Sequence, residues 1–184
     1  MRLSLLTVTC LASSVLASPV PIQQRDVTVI QSSFVRITAC LNRLATGFST
    51  RVTGGTTEKA AQETDKLLSL SQETLEEVRL STREIRRGPT VTALEAAGLY
   101  TMVNTLSQQT RTVANGWIDA KRMVIAGGKK SAVLNSLLDA SEATTNLGDA
   151  IAGKLPALDR YFSSSLQQGF VKAYEAAIAD YQRN

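Results

Sequence analysis

Apolar residues recur at helical spacing in five successive stretches of the chain, and no stretch shows the two-residue alternation of a half-buried strand. The first stretch carries Val27, Ile30, Phe34, Ile37, Leu41, Leu44 and Phe48 on one face, with Gln31, Ser32, Arg36 and Arg43 on the other. Asp26 is placed to cap it and Gly54-Gly55 to end it. The second, from Thr57 to about Arg86, mixes hydroxyls into its inward stripe: Thr64, Leu68, Ser71, Leu75, Val78, Thr82 and Ile85. Charged residues cover the rest of that segment, so it predicts a helix lying at the surface with one side inward. Such hydroxyls either bond back to their own helix carbonyls or face a polar ligand group.

The third stretch, Ala93 to Val124, repeats Leu99, Met102, Leu106, Thr110, Val113, Trp117, Ala120 and Val124 at steps of three and four. Gly88-Pro89 breaks the chain before it, and Thr92 with Glu95 forms a capping box. No residue from Ala96 to Thr110 is charged, which predicts a central helix touched by neighbours on several sides. A fourth helix is expected from about Lys130 to Ala152, with Val133, Leu137, Ala140, Thr144, Leu147 and Ile151 inward. Gly153 stops it. Pro156 suits the first turn of a fifth, which runs to about Tyr181 and carries Leu158, Phe162, Leu166, Phe170, Tyr174 and Ile178. Short connections between the five favour an all-α, antiparallel five-helix bundle.

Glycines inside these patterns complicate a plain core. Gly98, Gly116, Gly148 and Gly169 each cost a helix about 1 kcal/mol relative to alanine. They mark either close helix crossings or space left for something that is not protein. Ala97, Ala114, Ala140, Ala173 and Ala177 also hold inward or near-inward places, so the pattern allows an apolar cavity between the helices.

The first 17 residues read as a signal peptide: Arg2 is followed by an apolar run to Leu16, with Val15 and Ala17 at the cleavage-site positions. Residues 18–25 then form an extended lead-in, and 26–184 a single helical domain. The run is short for a membrane span and lacks basic stop-transfer residues, so a secreted, extracellular protein without a transmembrane segment is expected. Cys10 leaves with the leader, and Cys40 then has no partner within the chain. Histidine is absent, which removes Ser-His-Asp and Cys-His catalysis and the usual zinc sites. The formal net charge of +4 is too small to argue for nucleic acid, and aromatic residues are scarce. Asp119, Asp139 and Glu142 are paired with no nucleophile or metal motif, so neither catalysis nor a cofactor or metal is expected.

With this leader, the Arg25-Asp26-Val27 start, the breaks at Gly54-Gly55 and Gly88-Pro89, and the ending Ala176-Ala177-Ile178-Ala179-Asp180-Tyr181, the chain resembles a known group. It is similar to the fungal hydrophobic surface-binding protein A family, which includes the antigenic cell-wall galactomannoproteins. The resemblance spans about residues 25 to 181. It implies a secreted five-helix domain without catalytic residues, either adsorbing to hydrophobic surfaces, in some cases recruiting a secreted esterase, or holding a fatty acid between its helices. Two departures stand out. There is no Ser/Thr-rich stalk or anchor signal for covalent cell-wall attachment, and basic clusters stand at Arg83, Arg86, Arg87 and at Lys121, Arg122, Lys129, Lys130.

Lipid binding therefore leads the functional readings. A buried acyl chain gains about 0.8 kcal/mol per methylene, so about ten methylenes bring about 8 kcal/mol before the cost of ordering them. Candidate lipid-contacting residues are Phe34, Leu41, Ser71, Leu75, Leu106, Thr110, Val113, Phe162 and Phe170, of which the apolar seven are first of all core. Ser71, Thr110 or a rim residue such as Arg111 would supply a donor to a carboxylate. The ligand is a fatty acid or another hydrophobic molecule or surface, met either inside the bundle or on an opened outer face. The alternative is a secreted interaction protein whose basic helical face meets a host protein or a wall polymer.

Overall fold

The computed structural model describes residues 24–52, 55–156 and 160–183, with side-chain placement for all of these except 24–27, 160–168 and 170. The expected signal peptide and most of the lead-in lie outside these residues. Five helices follow one another: α1 (Gln24–Thr50), α2 (Thr57–Arg87), α3 (Ala93–Ala126), α4 (Lys130–Ala152) and α5 (Arg160–Gln182). No strand occurs among the described residues. Gln24 and Arg25 are already helical, so Asp26 lies inside α1 rather than capping it. Pro156 stands outside the described part of α5, which opens at Arg160.

The local signals act where the chemistry requires. Thr92 accepts from the backbone N–H of Glu95, and the Glu95 carboxylate accepts from the Thr92 N–H at 2.7 Å, completing the capping box of α3. Those hydrogen bonds hold the Glu95 carboxyl below the usual carboxylate range. At the far end of α3, Gly128 takes a left-handed φ of +69°, and the Lys129 N–H reaches back to the Val124 carbonyl at 3.0 Å. The loop before α3 is pinned to the loop before α5 by Val91 N–H to Lys154 O at 2.9 Å and by the Lys154 ammonium on the Gly88 carbonyl.

Consecutive helices run in opposite directions, yet the lateral neighbours form a closed ring: α1 against α3, α3 against α5, α5 against α4, α4 against α2, and α2 back against α1. Only α1–α2 and α4–α5 are antiparallel hairpins. The α2–α3 and α3–α4 connections step across the ring, and those helix pairs touch little. The helix α3 is thus one stave of five, not an axial rod. Its uncharged N-terminal half still turns Ala97, Gly98, Thr101, Asn104, Thr105 and Gln108 to water. Neutral hydroxyl and amide side chains hydrate well enough to form an outer face without charge.

Ion pairs tie the ring from outside. Arg36 of α1 meets Glu77 at 2.7 Å and also Glu84, both on α2. Lys129 meets Asp65 at 2.8 Å. Lys121 reaches the Asp180 carbonyl at 2.6 Å and Lys130 the Arg183 carbonyl at 3.4 Å, so two of the basic residues serve the C-terminal end of α5, where its dipole favours a cation.

Candidate functional site

A ring of five staves leaves its axis to be filled by side chains, and here the filling is incomplete. A cavity on the axis is lined from every helix: Ile37, Leu41 and Leu44 from α1; Ser71, Thr74, Leu75 and Val78 from α2; Leu106, Thr110, Val113 and Trp117 from α3; Ser136, Leu137, Ala140, Ala143, Thr144 and Leu147 from α4; Tyr174 from α5. The cavity is narrow, with a volume of about 30 Å³. That is room for about two waters. A long tail enters only if the staves part.

Small and hydroxyl residues on α4 create this void. Where α2 and α3 present Leu75, Val78, Leu106 and Val113, α4 answers with Ser136, Ala140, Ala143 and Thr144, and the lost bulk is not made up from across the ring. The polar atoms of the wall are nearly all engaged. Thr74 donates to the Leu70 carbonyl at 2.8 Å, Thr110 to Leu106 at 2.9 Å and Thr144 to Ala140 at 2.7 Å, each within its own helix. The Tyr174 phenol is hydrogen-bonded to Thr144, and burial pushes its pKa up to about 12.

Ser71 and Ser136 differ from the rest. Their hydroxyls meet at 2.9 Å across the α2–α4 seam. Two hydroxyls carry two protons and one bond between them uses one, so a donor is left for whatever enters the cavity.

Of the nine residues expected to contact a lipid, Leu41, Ser71, Leu75, Leu106, Thr110 and Val113 are brought together on the cavity wall. Phe34 is buried in the core beyond the lining, and the side chains of Phe162 and Phe170 lie outside the described residues. Thr110 already has its proton on its own helix, and Arg111 is exposed on the α3–α5 side with its guanidinium near Gly169. Ser136, Thr144 and Tyr174 were absent from the expected site. Thr144 and Tyr174 stood in inward stripes and carried the same hydroxyl-in-stripe signal as α2, whereas Ser136 flanks the α4 stripe and carried none.

Outside the cavity, the large exposed apolar side chains among the described residues are Val35, Val52, Leu80, Leu94, Ile125 and Leu138, which fall on four helices and one loop. Cys40 is buried at the rim of the core, where its sulfur accepts from the Arg43 guanidinium at 3.2 Å. Among the described residues no group of His, Cys, Asp and Glu could hold a metal ion, and no helix is long and apolar enough to cross a membrane.

No protein-family model matches the chain, and no curated protein matches it significantly. Solved structures do. Ligand-binding domain 2 of the Penicillium marneffei MP1 protein, complexed with multiple arachidonic acids, superposes with a TM-score of 0.78 at 20% identity, covering 88% of this chain and 99% of that one. Ligand-binding domain 1 of the same protein, complexed with arachidonic acids, gives 0.78 at 19% identity over 85% of this chain and 99% of that one. Afmp4p in complex with palmitic acid gives 0.76 at 20% identity over 85% and 99%. The likeness shows a shared five-helix fold.

Proposed function

We propose that this chain is a lipid-binding protein that takes a long apolar tail between its helices, related to the fungal antigenic mannoproteins and acting by binding rather than catalysis. One observation carries the reading: all five helices contribute to one axial, mainly apolar cavity holding a spare hydroxyl donor at Ser71–Ser136. The structural neighbours complexed with arachidonic and palmitic acids support a fatty acid as the ligand class. The cavity is narrow, so taking up a long tail is coupled to separation of the staves.

The leader-like first 17 residues favour secretion as the setting in which such a ligand is met. An internal site is preferred to adsorption through an outer face because, among the described residues, the exposed apolar side chains are dispersed over five elements. Of the basic residues behind the alternative, Lys121, Lys129 and Lys130 are engaged within the molecule.

Native mass spectrometry of the folded chain mixed with palmitic acid tests the reading. An added mass of one or more acyl chains is expected, together with a change in emission from Trp117 on the cavity wall. Absence of both at ligand concentrations of about 100 μM, a generous excess for a useful lipid carrier, overturns it.

A further inference from the structure

A groove of about 220 Å³ lies on the outside of the α2–α4 seam and is lined by Arg79, Thr82, Arg83, Arg86, Glu142, Ala143 and Asn146. Ala143 also lines the axial cavity, so groove and cavity share it in their walls. On α2, Val78 faces the cavity and Thr82, one turn on, faces the groove.

The three arginines stand at i, i+4 and i+7, on one side of α2, and all are exposed. Among the described residues none of them is in an ion pair, although Arg36, Lys121 and Lys129 all are. Arg86 makes a neutral contact, donating to the Asn146 side-chain oxygen at 3.2 Å. Glu142 stands on the opposite bank, and Arg79 and Arg83 also border Glu73, Glu76 and Glu77 on the α1 side of α2. Like charges at i, i+4 repel, and neither Arg79 nor Arg83 makes a hydrogen bond or ion pair among the described residues. Across the seam behind them run the hydrogen bonds Ser71–Ser136 and Arg86–Asn146.

We infer that this arginine groove is the capture site and entrance of the cavity, selecting amphiphiles with an ionised acidic head over neutral ones of the same length. The inference rests on the lipid-binding reading and adds to it a route and the residues that tell a charged head from a neutral one. The head is held in the groove by charge while the tail passes Ala143 into the axis. Three guanidinium groups on the wall of a concave site raise the local concentration of anions and hence the association rate.

Stopped-flow mixing of the intact chain with cis-parinaric acid, and separately with the matching alcohol, reads entry by energy transfer from Trp117. The acid is expected to associate about ten-fold faster than the alcohol at low ionic strength. That advantage shrinks in about 0.5 M salt, where screening is strong. The double variant R79Q/R83Q, which keeps the Arg86–Asn146 bond across the seam, slows the acid toward the rate of the alcohol. Equal rates for acid and alcohol in the native chain, an advantage insensitive to salt, or an advantage undiminished in the double variant would each overturn the entrance. The salt series needs no variant at all. If neither amphiphile draws energy from Trp117, the lipid-binding reading has failed and the entrance with it, whereas binding without charge dependence removes the entrance alone.

Discussion

The hydroxyl of Tyr181 donates a 2.8 Å hydrogen bond to the backbone carbonyl of Trp117, with both side chains out of contact with water. This bond fastens the last turn of α5 to α3, at a residue whose ring meets Phe48 of α1 edge-to-face with centroids 5.0 Å apart. Three staves of the ring are joined at one place, and the same indole forms part of the cavity wall. Tyr181→Phe keeps the packing and removes the bond. A loss of about 1 kcal/mol is expected, which for a chain of this size lowers Tm by about 3 °C in a calorimetric scan.

Two buried phenols set the alkaline limit. Burial pushes Tyr174 up to about 12, and burial together with Asp180 raises Tyr181 further. Their unfolded counterparts ionise near pH 10, so the folded state holds the proton more tightly. The stabilisation is complete below pH 10 and is lost as pH rises toward and beyond 12. Denaturant midpoints measured from pH 8 to 12 should stay level and then fall steeply above about 10. In Tyr181→Phe the fall should be shallower.

Two helix glycines have opposite expectations. A Cβ at Gly116 would stand 2.5 Å from Cδ2 of Phe48, a ring fixed by its contact with Trp117. At Gly98 a Cβ meets nothing within 4 Å. Gly98→Ala should therefore stabilise by about 0.5–1 kcal/mol through helix propensity alone. Gly116→Ala gains the same propensity but forces the ring aside, for a net loss of about 1–2 kcal/mol. Urea midpoints of the two variants should move in opposite directions.

The serine pair offers a test of the cavity's polarity. Removing one hydroxyl, as in Ser136→Ala, leaves Ser71 without its cross-seam partner and should cost about 1 kcal/mol. Removing both should cost little more than one, because no orphan remains. By contrast, Thr110→Val should leave tail affinity within about two-fold, since the Thr110 proton already sits on the Leu106 carbonyl. Urea midpoints of the two serine variants and a titration of Thr110→Val with palmitic acid check these expectations.

The neutral stretch Ala96–Thr110 and the helix that follows it show where sequence reasoning stops. Missing charge suggested burial on several sides, yet Thr101, Asn104, Thr105 and Gln108 face water. Periodicity reports which side of a helix is apolar; it does not report how many neighbours that side meets. Of the interior glycines, Gly116 sits at a close crossing and Gly98 does not, although both occupy comparable places in the pattern. The difference lies in a ring brought from another helix, which no local window contains. Ser136 entered the site for the same reason: its only distinguishing feature is the serine opposite.

The chain alone determined five amphipathic helices, the breaks between them and the α3 capping box, because these follow from residues within a few positions of one another. It also placed hydroxyls in the inward stripe of α2, six of the cavity residues and the absence of histidine chemistry. Tertiary structure decided that the five close into a ring, that α3 is a stave of it, and that the small residues of α4 face bulkier ones without filling the gap. Those outcomes depend on which faces meet across the axis, and that depends on all five helices packing at once.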